Sequence, residues 1–270
     1  MGTPPLLFVH GFLGEAGDWN RMRTLLEPAL VANCFELPGH GAAQPIAADA
    51  GGGPARWFAA ATERLRDACT TLAAPPVLVG YSMGGRLALY VALRFPRAVR
   101  GLVVVAADPG IEDRTARAER LARDEALAGQ LAEAGDQAAF TDWLQRWYAT
   151  PLFGSLRHHP HFEDLLQRRL RGRPASLAAA LRGLSVGVQP VLWEALPRLP
   201  IPALFIAGAD DAKYRAVADR IATLGAPWEC AVCPSAAHAV HLEQPEAVAR
   251  LIRTLVRRSS APATETDASD

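Results

Sequence analysis

The stretch Pro76-Val77-Leu78-Val79-Gly80-Tyr81-Ser82-Met83-Gly84-Gly85-Arg86-Leu87-Ala88-Leu89 decides the fold. Its first part is a short apolar run. Its centre is the pattern Gly-x-Ser-x-Gly, and its last part is compatible with a helix. The order reads strand, sharp turn, helix. A serine at such a turn sits in a strained backbone, and the flanking glycines leave room for it. Its hydroxyl then stands above the sheet edge, and the next backbone N–H points where an oxyanion would form. The bare pattern arises by chance in unrelated chains; the strand before it and the helix after it make it specific. The bland alternative is a glycine-rich turn with an idle serine.

Working outward, 6–9 is a short buried strand that ends at His10-Gly11. Apolar residues Trp19, Met22, Leu25 and Leu26 fall near helical spacing. Residues 31–37 predict a second strand, closed by Pro38-Gly39-His40-Gly41. Gly51-Gly52-Gly53 predicts a loop, and Pro54 suits the first turn of a helix running to about Leu72. Strands are expected at 77–81, 102–106, 202–207 and 228–233, and helices at 85–95 and 245–257. Continuous apolar runs of this kind mark a parallel sheet buried on both faces. The alternation breaks from 110 to 196, where Ala, Leu, Arg and Glu recur with helical periodicity. The expected organisation is an α/β core of 1–109 and 197–258, an inserted helical lid of about four helices over 110–196, and a disordered tail over 259–270.

The 270 residues suit one large domain with an insertion and need no disulfide or metal to hold a core. Formal net charge is zero, so no global field recruits nucleic acid or an anionic membrane. Any anion must be met by a few placed cations. No apolar run is long enough to span a bilayer. The first residues lack the basic start and cleavage site of a signal peptide, so the expected location is cytoplasmic. Cys230 and Cys233 form C-x-x-C, but on a strand residues three apart face opposite ways, so reduced thiols are expected rather than a redox or zinc pair. His158-His159-Pro160-His161 invites a metal reading, which Pro160 disfavours by breaking a helical ligand face. No metal and no cofactor are expected.

A serine nucleophile or base needs an imidazole, and the imidazole needs an orienting carboxylate. Asp211 follows one predicted strand and His238 the next, both at the ligand-facing edge of a parallel sheet. Ser82, Asp211 and His238 are the expected catalytic set, the choice of Asp211 and His238 resting on the family resemblance described below as well as on position. Asp210 competes with Asp211, and His241 with His238. The Phe12 and Met83 N–H groups are the expected oxyanion donors, Phe12 from the loop after the first strand. His10 is expected to prop that loop by hydrogen bonds rather than act as a base.

The chain as a whole resembles an α/β-hydrolase, with a mostly parallel sheet flanked by helices. Within that superfamily it is similar to the 2-succinyl-6-hydroxy-2,4-cyclohexadiene-1-carboxylate synthases of menaquinone or phylloquinone biosynthesis. The matching pieces are His10-Gly11-Phe12-Leu13-Gly14, Gly80 to Arg86, Asp108-Pro109-Gly110-Ile111, Arg117 to Arg120 with Asp124, and Trp147-Tyr148 with Pro151-Leu152-Phe153. Gln189-Pro190, Gly208 to Tyr214, and Ala237-His238 complete them. They span roughly residues 6 to 255, lid included. Ala237 stands where that family usually has glycine, and Met83 where leucine is common.

The resemblance implies a carbon–oxygen lyase. It would eliminate pyruvate from 2-succinyl-5-enolpyruvyl-6-hydroxy-3-cyclohexene-1-carboxylate, with the triad abstracting a proton beside the succinyl ketone and the oxyanion hole holding the enolate. The implied partner is a small polycarboxylate, not a nucleic acid. Arg86, Arg120 and Lys213 are the candidate cations for its carboxylates, and Tyr81 and Trp147 candidate lining residues. Lys213 is the only lysine among the 28 basic residues counted as Lys and Arg. The bland alternatives are a leftover surface lysine, an i,i+4 surface partner for Arg86, and a solvated helix face for Arg120. A serine carboxylesterase is the competing enzyme; a non-catalytic receptor on the same fold is disfavoured by the intact triad. A lyase pocket should turn Arg86, Arg120 and Lys213 toward one cavity above Ser82, whereas an esterase pocket should be mainly apolar.

Overall fold

The computed structural model describes residues 2–46, 53–154 and 156–260. Six parallel strands form one sheet: β1 (Leu6–Val9), β2 (Ala32–Phe35), β3 (Val77–Tyr81), β4 (Gly101–Val105), β5 (Ala203–Gly208) and β6 (Trp228–Cys233). Their order is β2-β1-β3-β4-β5-β6. The winding reverses between β1 and β3, and it is outside the carboxyl ends of strands at such a reversal that ligands bind. Val9 stands beside Gly80 in the ladder, so the loops after β1 and β3 leave the sheet side by side.

The central strands β1, β3, β4 and β5 are buried at every residue. This is why they read as unbroken apolar runs. The edge strands β2 and β6 are mixed in burial. Strand β2 is shorter than its apolar stretch predicts. The N–H of Leu37 donates to the ring Nε2 of His10 at 3.1 Å, which takes that residue out of the ladder. Strand β4 stops at Val105 because Ala106 turns to a φ of 46°.

Helices α1 (Asn20–Leu26), α2 (Gly53–Thr70) and α3 (Met83–Arg94) connect the first strands. Gly53 belongs to α2 rather than to a loop, while Gly51 and Gly52 lie outside the described residues. Helix α3 starts directly after Ser82, two residues earlier than its periodicity predicts. Between β4 and β5 the chain forms α4 (Arg114–Ala132), α5 (Gln137–Tyr148), α6 (Phe162–Arg169) and α7 (Pro174–Gly183), with short 3-10 turns between α5 and α6 and again after α7. Helix α4 packs along α7, and α7 also touches α2. Helices α8 (Ala212–Ala222), α9 (Val240–Glu243) and α10 (Pro245–Ser260) complete the fold. Helix α10 carries on through Ser260, with Ser259 buried, so no disordered tail begins at 259; residues 261–270 lie outside the described part. Its apolar face (Val248, Ile252, Leu255, Val256) repeats at helical spacing and is buried, which favours continuation over fraying. Among the described residues, no helix is long and apolar enough to cross a membrane.

Candidate active site

Ser82 closes β3 with φ 48° and ψ −112°, a conformation that non-glycine residues adopt at a cost. Glycines make the turn possible through close approach. A Cβ on Gly84 would lie 2.6 Å from the Val9 carbonyl oxygen, and one on Gly11 would lie 2.8 Å from the Tyr81 ring. The two loops can therefore touch only with glycine at these places.

His238 follows β6, and Asp211 is the N-cap of α8 just past β5. The His238 Nε2 lies 3.0 Å from Ser82 Oγ, and its Nδ1 lies 3.1 Å from Asp211 Oδ2. With Nδ1–H donating to the carboxylate, Nε2 is left as the acceptor facing the serine hydroxyl. Asp211 is itself oriented, because its Oδ1 accepts the Tyr214 N–H at 3.2 Å. Burial pushes the His238 pKa below its ordinary value, and the Asp211 carboxylate only partly offsets this. The imidazole is thus neutral and able to take a proton near neutral pH.

The two competitors sit elsewhere. Asp210 is exposed. His241 is buried behind the site, its ring 4.5 Å from that of Trp19 and 4.3 Å from that of Tyr81. Burial lowers its pKa to about 3.

The loop after β1 is held from below by two buried histidines. His10 Nδ1–H donates to the Gly11 carbonyl at 2.8 Å while its Nε2 accepts from Leu37. His40 accepts the Leu13 N–H at 3.1 Å, fixing a residue with φ 65°. The two rings lie 5.1 Å apart. Burial lowers both pKa values, and this suits neutral rings that accept hydrogen bonds. Phe12 and Met83 line the same cavity as Ser82. The Met83 N–H belongs to the first turn of α3, where amides have no partner within the helix.

A second brace has no local signature in the sequence. Asp18, just past this loop, receives Arg169 of α6 in a bidentate pair at 2.9 and 2.7 Å. Arg169 Nε also donates to the Tyr148 hydroxyl at 2.9 Å. Burial alone would raise the Asp18 pKa; Arg169 outweighs it and holds the carboxyl at about 2. The partners are 151 residues apart, so only the fold reveals them.

Above Ser82 lies a cavity of about 600 Å³. Ser82 and His238 form its floor with Tyr81. Arg86, Arg120, Trp147 and Lys213 also line it, so the three candidate cations do turn toward one space. Asp211 stands behind His238. Arg86 is buried and donates to Gln189 Oε1 at 3.0 Å and to the Leu184 carbonyl at 2.5 Å, both neutral acceptors. Burial lowers its pKa to about 10, with Arg120 adding to the effect. Gln189 in turn donates to the Asp108 carbonyl at 2.8 Å. Arg120 Nε bonds both oxygens of Asp124 at 2.9 Å. Lys213 Nζ pairs with Asp108 Oδ2 at 2.9 Å and lies 5.0 Å from the Tyr214 ring centre. Trp147 stacks on Trp143 at 5.6 Å and meets Phe12 edge-on at 5.5 Å.

The alpha/beta hydrolase family model matches residues 6–251. The 2-succinyl-6-hydroxy-2,4-cyclohexadiene-1-carboxylate synthase of Salmonella typhimurium is 34% identical over 260 residues, covering 95% of each protein. The chain belongs to the synthase branch of the alpha/beta hydrolases. This alpha/beta hydrolase is also 34% identical to the chloroplastic protein PHYLLO of Arabidopsis thaliana over 275 residues, but there it spans only 16% of the relative's length. Among solved structures, MenH from S. aureus superposes with a TM-score of 0.86 at 28% identity, covering 97% of this chain and 96% of that one. Such coverage takes in the helices between β4 and β5 as well as the sheet.

Proposed function

We propose that this alpha/beta hydrolase eliminates pyruvate from 2-succinyl-5-enolpyruvyl-6-hydroxy-3-cyclohexene-1-carboxylate, leaving 2-succinyl-6-hydroxy-2,4-cyclohexadiene-1-carboxylate. The observation that carries the reading is the convergence of Arg86, Arg120 and Lys213 on the cavity over Ser82. A tricarboxylate in a protein of zero formal charge needs such local cations.

His238 draws a proton from Ser82 Oγ, which takes the proton from ring carbon 2, beside the succinyl ketone. The electron pair left behind delocalises onto the ketone oxygen. The Phe12 and Met83 N–H groups meet that enolate oxygen, each contributing about 3 kcal/mol of transition-state stabilisation. The enolate then collapses across the ring double bond and breaks the carbon 5–oxygen bond. Enolpyruvate leaves, and protonation at its methylene carbon gives pyruvate. One proton is taken and one returned, so no oxidant, reductant or water is consumed.

Arg86 is the cation best suited to a substrate carboxylate, because its buried charge rests on neutral acceptors alone. Residues 110–196 serve as the lid over a core of 1–109 and 197–258. The four cysteines are free, which fits a reducing, cytoplasmic setting. The same triad supports ester hydrolysis as the alternative reading. Incubation with enzymatically generated substrate, with pyruvate monitored beside a panel of simple esters, separates the two. Pyruvate release with weak ester turnover supports the lyase; the reverse supports an esterase.

A further inference from the structure

Six cations line the cavity, and they fall into distinct states. Arg120, Arg169 and Lys213 are each tied to a carboxylate, and Arg86 is buried on neutral acceptors. The remaining two, Arg123 of α4 and Arg146 of α5, are exposed where the cavity opens. Neither forms an ion pair among the described residues. Glu119 and Asp142, one turn earlier on the same two helices, do not line the cavity. Two different helices thus aim positive charge outside any ion pair at the approach to one pocket, on a protein whose formal charges sum to zero.

We infer that Arg123 and Arg146 form a cationic mouth that steers a polyanionic substrate into the cavity and selects it over neutral molecules. This rests on the lyase reading and adds to it a role for two residues outside the triad and the three inner cations. A mouth of one sign, backed by low-dielectric walls, raises local counter-ion concentration and on-rate, and the effect fades with salt. The Debye length shrinks from about 30 Å at 0.01 M to about 3 Å at 1 M ionic strength. Exposed mouth charges should therefore act on kcat/KM and leave kcat alone.

The test is pyruvate release by wild type and by Arg123→Gln/Arg146→Gln, measured from about 10 to 500 mM ionic strength. Arg94→Gln/Arg97→Gln is the control; it removes the same net charge from the last residue of α3 and the 3-10 turn that follows it, away from Ser82. For the mouth variant, kcat/KM should be about five- to tenfold lower at low salt, with a flatter salt slope and unchanged kcat. The curves should converge to within about twofold at high salt. The control should keep the wild-type slope. Parallel slopes for wild type and mouth variant overturn the inference, and so does an equal flattening in the control. Both outcomes leave the lyase reading standing. Absence of any pyruvate from wild type overturns the lyase reading and this inference together.

Discussion

His238 is held between opposing influences: Asp211 favours its charged form, and burial opposes that form more strongly. Its neutral, proton-accepting form therefore persists to lower pH than for a free imidazole. The acid limb of the kcat/KM profile should fall below the ordinary histidine value of about 6.5. Activity should be retained as pH drops through that value and lost only further down. A limb centred above 7 would contradict the assignment of His238 as base. Lys213 tests the substrate side of the site. Replacing Lys213→Ala should raise KM for the tricarboxylate by roughly tenfold or more, the worth of one charge-assisted contact, while changing kcat little. Steady-state kinetics that show an equal loss of kcat would instead indicate damage to the neighbouring Asp211.

At the scale of elements, the site depends on loops that are fastened to one another. The loop after β1 is pinned by His10, His40 and Asp18, and Asp18 reaches α6 through Arg169. Asp18→Asn should destabilise the protein by about 3–5 kcal/mol, since it leaves the Arg169 guanidinium buried without its countercharge. Urea denaturation monitored by tryptophan fluorescence measures this; a change under 1 kcal/mol would show that the brace is dispensable. The strand-turn-helix around Ser82 was legible because its cause is local: an apolar run, glycines at points of close approach, then helical spacing. Position after a strand at the same sheet edge narrowed the partners to Asp210 or Asp211 and to His238 or His241, and the family resemblance helped to choose Asp211 and His238. The histidine props were half legible. His10 sits in a readable motif, while His40 meets Leu13 across 27 residues. The Asp18–Arg169 brace was not legible at all, because nothing local marks either residue as buried. The end of β2 escaped for a similar reason, since a distant imidazole took the Leu37 amide.

Across the whole molecule, the polar groups beneath the site tie stability to pH. His241 is neutral in the fold with a pKa of about 3, whereas the unfolded chain titrates it near 6.5. Between those values the unfolded state binds more protons, so stability falls as pH falls. The contribution is fully present above about pH 6.5 and is lost toward pH 3, with a penalty of roughly 2 kcal/mol at pH 5. Burial lowers His10 and His40 as well, which adds in the same direction. Asp18, held at about 2, adds a loss that sets in as pH falls through the ordinary carboxylate value of about 3.9 and is complete toward pH 2. Denaturant midpoints at pH 7 and pH 5 should differ, and His241→Phe should narrow the gap; an unchanged gap would remove His241 from the account.

The central claim joins three distant parts of the chain, Ser82, Asp211 and His238, in one proton transfer on a polycarboxylate. Its most direct test is the rate of pyruvate release from the synthesised substrate by wild type and by Ser82→Ala, with fold checked by circular dichroism. The account predicts turnover by wild type and a loss of at least several hundred-fold in kcat for a correctly folded Ser82→Ala, of the order expected for general acid–base catalysis. Equal rates from the two proteins would contradict it.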